Sequence, residues 1–206
     1  MNDFLDIILH TDEKLLDLVN TYGTYTYAIL FMIIFCETGL VFFPFLPGDA
    51  LLFAAGILAA TGALNVLTLA GLLTAAAILG NTSNYFIGRY ASKYFLRIKN
   101  RYFQKYLLDA NFFYEKHGGK AIVISRFFPV VRTYVPFVAG VTIMDFRLYS
   151  LYNIFGGIFW VALFVFGGYF LGNIPWAKEN FSAMMVTLLF LTTIPFWLSL
   201  FKSLKK

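Results

Sequence analysis

Apolar residues run in long blocks along this chain, with polar residues gathered between the blocks rather than alternating within them. Residues 3–20 are different. Phe4, Ile8, Leu15 and Leu18 recur at helical spacing with acids between them, which predicts an amphipathic helix too polar to span a membrane and suited to its interface. Residues 24–43 are long enough to cross about 30 Å of hydrocarbon, although Glu37 interrupts them. Residues 43–62 are apolar but broken by Pro44, Pro47, Gly48 and Asp49. A second span is predicted over 66–88, ending at Arg89, and a basic, aromatic surface helix over 91–117. Residues 121–143 are again apolar and interrupted, by Arg126, Pro129, Arg132 and Pro136. Residues 148–172 and 182–201 read as clean spans, and the Gly168–Gly172 spacing suits close helix packing.

The two interrupted blocks carry the most information. Freed backbone groups are costly against lipid, so broken stretches belong inside protein or beside water. If each block enters and leaves by the same face, a cytoplasmic N-terminus puts both basic regions, 89–120 and the C-terminal lysines, on the cytoplasmic side, as the positive-inside rule requires. The expected fold is therefore an all-α polytopic membrane protein. Two re-entrant helical hairpins (about 43–62 and 121–143) are joined by about four transmembrane helices and amphipathic surface helices. A faint repeat supports opposed hairpins: Phe42-Phe43-Pro44 precedes Ala55-Gly56 much as Phe127-Phe128-Pro129 precedes Ala139-Gly140. Inverted repeats of this kind place substrate near the midplane at discontinuous helices. The expected organisation is an N-terminal helix (1–23), one membrane domain (24–201) and a basic tail (202–206).

Composition agrees with hydrocarbon as the solvent. Of 206 residues, 60% are apolar and 13% charged, against about 45–50% and about 25% in ordinary soluble domains. That balance excludes a disulfide scaffold, a disordered tail and an ordinary cytosolic enzyme. The net charge of +5 is concentrated: residues 89–120 hold eight of the Lys and Arg residues against Asp109 and Glu115, whereas residues 1–23 are acidic. Such a stretch suits a loop beside anionic headgroups better than a nucleic-acid surface. Cys36 stands alone, and His10 and His117 belong to no ligand pattern, so no metal or cofactor is expected.

Glu37, Asp49, Arg126 and Arg132 are the candidate functional residues, all from the interrupted blocks. Each ionised side chain at the bilayer centre costs roughly 2.5–3.5 kcal/mol, so these must pair, meet water, or both. The bland alternative is a pair of structural salt bridges, with Asp49 serving as a helix cap. The functional alternative is chemical: guanidinium binds phosphate oxygens bidentately, and a carboxylate held away from water can carry a proton. Pro44, Pro47, Gly48, Pro129, Pro136 and Gly140 are expected to shape the hairpins, while Asn153 and Trp160 read as packing residues within a span.

These same residues carry a resemblance. The stretch from Glu37 through Pro44, Pro47, Gly48 and Asp49 resembles the first signature of the DedA family, part of the SNARE-associated or VTT group. Ser125-Arg126-Phe-Phe-Pro129, Arg132-Thr133, Pro136 and Ala139-Gly140 resemble its second. The likeness runs from about residue 25 through the helix that includes Tyr149 and Gly172. It implies an integral inner-membrane protein with two re-entrant hairpins that moves lipids between leaflets, its function resting on Glu37, Asp49, Arg126 and Arg132; the positive-inside argument adds cytoplasmic termini. Members are linked to undecaprenyl phosphate, to phosphatidylethanolamine, to scrambling and to proton-dependent transport. Asn81 departs from the family pattern, in which many relatives carry Asp, and this bears on proton coupling.

The leading expectation is a flippase for undecaprenyl phosphate or a related phospholipid, with membrane lipids as partners, the proton gradient as a possible energy source, and a homodimer permitted. A proton-coupled exporter of small cations or drugs and a phosphatidylethanolamine flippase or scramblase are the alternatives within transport. A membrane phosphatase fits less well, because Arg132 stands where the Ser125-Arg126 pattern would need a nucleophilic His. No other enzyme motif is present, so a non-enzyme is expected. A structural factor would use its charges only for folding.

Overall fold

The computed structural model describes residues 19, 21–40, 48–95, 119–128 and 131–174. The expected helix over 3–20, the stretch 96–118, the span over 182–201, the basic tail and Pro44, Pro47 and Pro129 lie outside the described residues, apart from residue 19. Among the described residues there are six principal helices and no strand: α1 (Tyr25–Gly39), α2 (Gly48–Ala60), α3 (Val66–Phe95), α4 (Lys120–Ser125), α5 (Val131–Val141) and α6 (Phe146–Gly172).

Two of these helices, α3 and α6, are long and apolar enough to cross a membrane. α3 continues past the expected end at residue 88 to Phe95 because nothing in that stretch breaks it. α1 is shorter than the 24–43 span expected. Its 15 residues reach about 22 Å at 1.5 Å per residue, below the hydrocarbon thickness. The 121–143 block is interrupted as expected, with α4 and α5 separated, but Pro136 lies inside α5 rather than at the break. Proline there removes the N–H that would bond the Arg132 carbonyl, which bends a helix without ending it.

The described residues fall into two compact units. One takes those of Met1–Ile34, Leu46–Ala75 and Phe159–Lys206; the other takes those of Phe35–Phe45 and Ala76–Ile158. In the first unit α2 is buried on nearly every side. Its small residues let the C-terminal part of α6 approach backbone to backbone: a Cβ on Gly56 would strike the Val165 carbonyl, and one on Gly168 would strike that of Phe53. A Cβ on Gly172 would come within 2.9 Å of Ile57 Cα. The close packing expected from Gly168 and Gly172 is thus met within the chain, by α2. α3 starts on an Asn65 cap, whose Oδ1 accepts from the Thr68 N–H at 3.0 Å while the Asn65 N–H donates to the Tyr27 hydroxyl at 2.7 Å.

In the second unit, α4, α5 and the first half of α6 pack with the C-terminal part of α3 around Tyr85, Ile122, Val135, Ala139 and Tyr149. Gly140 of α5 lies against the Tyr85 carbonyl, much as Gly56 lies against Val165 in the first unit. The Tyr85 and Tyr149 rings stack at 4.4 Å, and each hydroxyl donates to a backbone carbonyl, Met144 at 2.5 Å and Asn81 at 2.7 Å. On α6 of this unit Leu151, Phe155 and Ile158 point outward at 58%, 71% and 52% exposure, a stripe that water would penalise and hydrocarbon accepts.

The end of α5 makes a sharp prediction. Met144 N–H donates to the Ala139 carbonyl (3.0 Å) and Ile143 N–H to that of Gly140 (3.1 Å), the paired bonds of a Schellman ending. Ile143 occupies the left-handed position at φ 57°, where α2 uses Gly62 (φ 84°) for its own ending. A β-branched residue is strained there by about 1–2 kcal/mol. Ile143→Gly should therefore raise unfolding stability by about 1 kcal/mol, measured by denaturant titration in micelles; a lower stability would contradict the assignment.

Candidate functional site

All four sequence-predicted charges are buried: Glu37 at 0% exposure, Asp49 at 6%, Arg126 at 2% and Arg132 at 4%. Glu37, Arg126 and Arg132 share the second unit, whereas Asp49 belongs to the first.

Glu37 is near the C-terminal end of α1. Gly39 and Gly80 bring this end onto α3, where a Cβ on Gly39 would sit 3.2 Å from Gly80 Cα. Arg132 stands in the first turn of α5, and its Nη2 forms an ion pair with Glu37 Oε1. Asn84 of α3 ties the neighbouring backbone together. Its Nδ2 donates to the Thr133 carbonyl at 2.7 Å and the Thr38 carbonyl at 3.4 Å, each one residue beyond a charged partner. Its buried Oδ1 meets no donor among the described residues.

Arg126 caps α4, at the break between α4 and α5. Its Nη2 donates to Asn153 Oδ1 at 2.6 Å and to the Asn153 carbonyl at 3.2 Å. The Asn81 amide, oriented so that both its ends are satisfied, accepts from the same Nη2 at 3.0 Å and donates to the Thr38 carbonyl at 3.2 Å. Arg126 is thus linked through Asn81 to the Thr38 carbonyl, which also accepts from Asn84, and Asn84 reaches the Thr133 carbonyl; Thr38 and Thr133 each follow a member of the Glu37–Arg132 pair in sequence. The amide oxygens that hold this guanidinium are neutral acceptors, so they take up its N–H groups without adding a counter-charge.

In the first unit Asp49 lies in the first turn of α2, where an acid also favours the helix dipole. Trp160 Nε1–H donates to its Oδ1 at 3.0 Å. Gly48 opens α2, and Gly140 serves helix contact on α5. Among the described residues no three His, Cys, Asp or Glu side chains gather as a metal site would need.

Sequence reasoning missed the carriers. Asn153 and Trp160 were expected to pack, yet they hold Arg126 and Asp49. Their signal was available: an amide and an indole N–H inside an apolar span must each find a partner there. Asn84, in the second predicted span, has the same signature.

Described residues without a strand, an outward apolar stripe, two helices of membrane length and ionisable side chains buried on polar partners define a membrane protein with buried charge. The VTT domain family matches residues 46–170. The chain is 48% identical to Protein DedA of Escherichia coli K12 over 195 residues, 93% of this chain and 89% of that protein. It is 39% identical over 166 residues to the uncharacterized membrane protein ML0287 of Mycobacterium leprae, covering 80% and 74% of the two chains. It is 33% identical over 171 residues to the inner membrane protein YghB of E. coli K12, covering 80% and 76%. No solved structure matches it significantly. The chain belongs to the DedA family of VTT-domain membrane proteins.

Proposed function

We propose that this protein is a lipid translocase that moves an anionic lipid phosphate, undecaprenyl phosphate or a related phospholipid, between leaflets without chemical change. The observation that carries this reading is the buried Glu37–Arg132 ion pair in the same unit as a second buried arginine, Arg126, which stands at a helix break. A pair that served only folding is a costly device, since apolar packing of equal volume stabilises as well or better. A phosphate headgroup offers both arginines the bidentate acceptor their geometry suits, while the lipid tail remains in hydrocarbon. In this cycle Glu37 takes a proton, Arg132 is released from it, and the phosphate replaces the carboxylate. Asn81 cannot carry a proton, so proton linkage rests on Glu37 and Asp49.

The re-entrant reading of residues 43–62 and 121–143 belongs to the same proposal. It is supported by the lengths of α2, α4 and α5, which are 13, 6 and 11 residues against the ~20 a spanning helix needs. The basic stretch over 89–120 supports an inner-membrane protein with cytoplasmic termini. A phosphoethanolamine headgroup is a second reading, favoured by Asn84 Oδ1, a buried acceptor that an ammonium would satisfy.

Reconstitution into phosphatidylcholine vesicles with labelled polyprenyl phosphate tests the proposal. Leaflet exchange should fall about tenfold or more in Arg126→Ala, in line with loss of a charge-assisted hydrogen-bonding partner. Exchange equal to the unaltered protein would reject it. Faster exchange of labelled phosphatidylethanolamine than of the lipid phosphate would favour the second reading.

A further inference from the structure

We infer that Asn153 is a positioning residue for Arg126, fixing its guanidinium from the first third of a membrane-length helix; as a functional claim this rests on the lipid-phosphate reading above. Asn153 cannot turn. Its Nδ2 donates to the Ile78 carbonyl and to Thr82 Oγ1, both at 3.1 Å, and the Thr82 hydroxyl is itself held by the Ile78 carbonyl at 2.7 Å. With the nitrogen end committed to α3, the oxygen end faces Arg126 Nη2 at 2.6 Å, and the Asn153 backbone carbonyl adds a second acceptor at 3.2 Å.

Asn81 accepts from the same Nη2, so the described amide contacts grip one corner of the guanidinium. The next turn of α6 completes the slot. A Cβ on Gly156 would lie 3.2 Å from Arg126 Nε, and one on Gly157 would lie 3.4 Å from Nη2, so the side chain can rest flat against this turn. Asn153 and Asn81 are both neutral, and so orient the cation without themselves adding a negative charge. A planar donor recognises phosphate by direction as well as charge, so loss of orientation weakens binding even though the arginine remains.

Two measurements test this on the full chain in phosphatidylcholine nanodiscs. The first is the Kd of a fluorescent polyprenyl phosphate. Asn153→Ala should weaken binding about tenfold. Thr82→Val keeps Asn153 but removes one of its anchors, and should weaken binding about two- to threefold with little risk to folding. In the Arg126→Ala background, Asn153→Ala should add nothing, whereas an independent structural role would add its full factor. Unchanged binding in both Asn153→Ala and Thr82→Val, or additivity in the double variant, would overturn the inference.

The second is the NMR signal of 15N-labelled arginine, which needs no ligand. The Arg126 Nη resonances should be separate in the unaltered protein and averaged by rotation in Asn153→Ala; resonances that stay separate would likewise overturn positioning. If Arg126→Ala itself binds the lipid phosphate normally, the phosphate reading fails, and the NMR signal still decides whether Asn153 positions the arginine.

Discussion

Arg132→Met is expected to cost about 3–5 kcal/mol of unfolding free energy, because it strands the Glu37 carboxylate at 0% exposure without its ion-pair partner. The physical point lies in the asymmetry between single and double changes. Removing one member leaves a buried charge with its desolvation cost and without the attraction that offset it. Removing both, as Glu37→Leu with Arg132→Met, replaces the pair by apolar volume, and stability should return to within about 1–2 kcal/mol of the unaltered protein. Denaturant titration of the three variants in mixed micelles measures this, and leaflet exchange in vesicles reads function on the same set. A translocase should lose exchange in the stable double variant. If that variant exchanged lipid at the normal rate, the pair would be a folding pin and the transport role would move elsewhere.

Gly168→Val is expected to cost about 3 kcal/mol by forcing α2 and α6 apart. An added Cβ strikes the Phe53 carbonyl and lies 3.2 Å from the Ile57 nitrogen. Both are backbone atoms of a helix buried on nearly every side, so no side-chain rotation relieves the contact, and overpacking costs at the upper end of its usual range. Separation of the two helices also stretches the Trp160–Asp49 hydrogen bond, which runs between them. Gly71→Ala provides the control. Nothing lies within 4 Å of its added Cβ, so helix propensity alone acts and stability should rise by up to about 1 kcal/mol. Equal stability of the two variants would show that α2 and α6 do not meet as described.

The sequence made the solvent legible, and with it the class of protein. Apolar blocks of membrane length at 66–88 and 148–172 became α3 and α6, because in hydrocarbon a continuous apolar helix satisfies every backbone group internally. The interruption around Arg126 was legible for the same reason, since charge and proline in one apolar block cannot make a plain span. The end of α1 was less so. Residues 24–43 are apolar almost throughout, and helix α1 stops at Gly39, whose approach to Gly80 depends on a partner 41 positions away.

The site shows the same division. That Glu37, Asp49, Arg126 and Arg132 must be satisfied away from water followed from residue type and setting alone, because burying a charge is costly whatever the fold. Which group satisfies each depended on tertiary structure. Glu37 goes to Arg132, Arg126 to the amides of Asn153 and Asn81, and Asp49 to the indole of Trp160. Sequence spacing orders neighbours along one helix, but these partners come from different helices, and only the packing of small residues such as Gly39, Gly80, Gly156 and Gly157 brings them within hydrogen-bond reach.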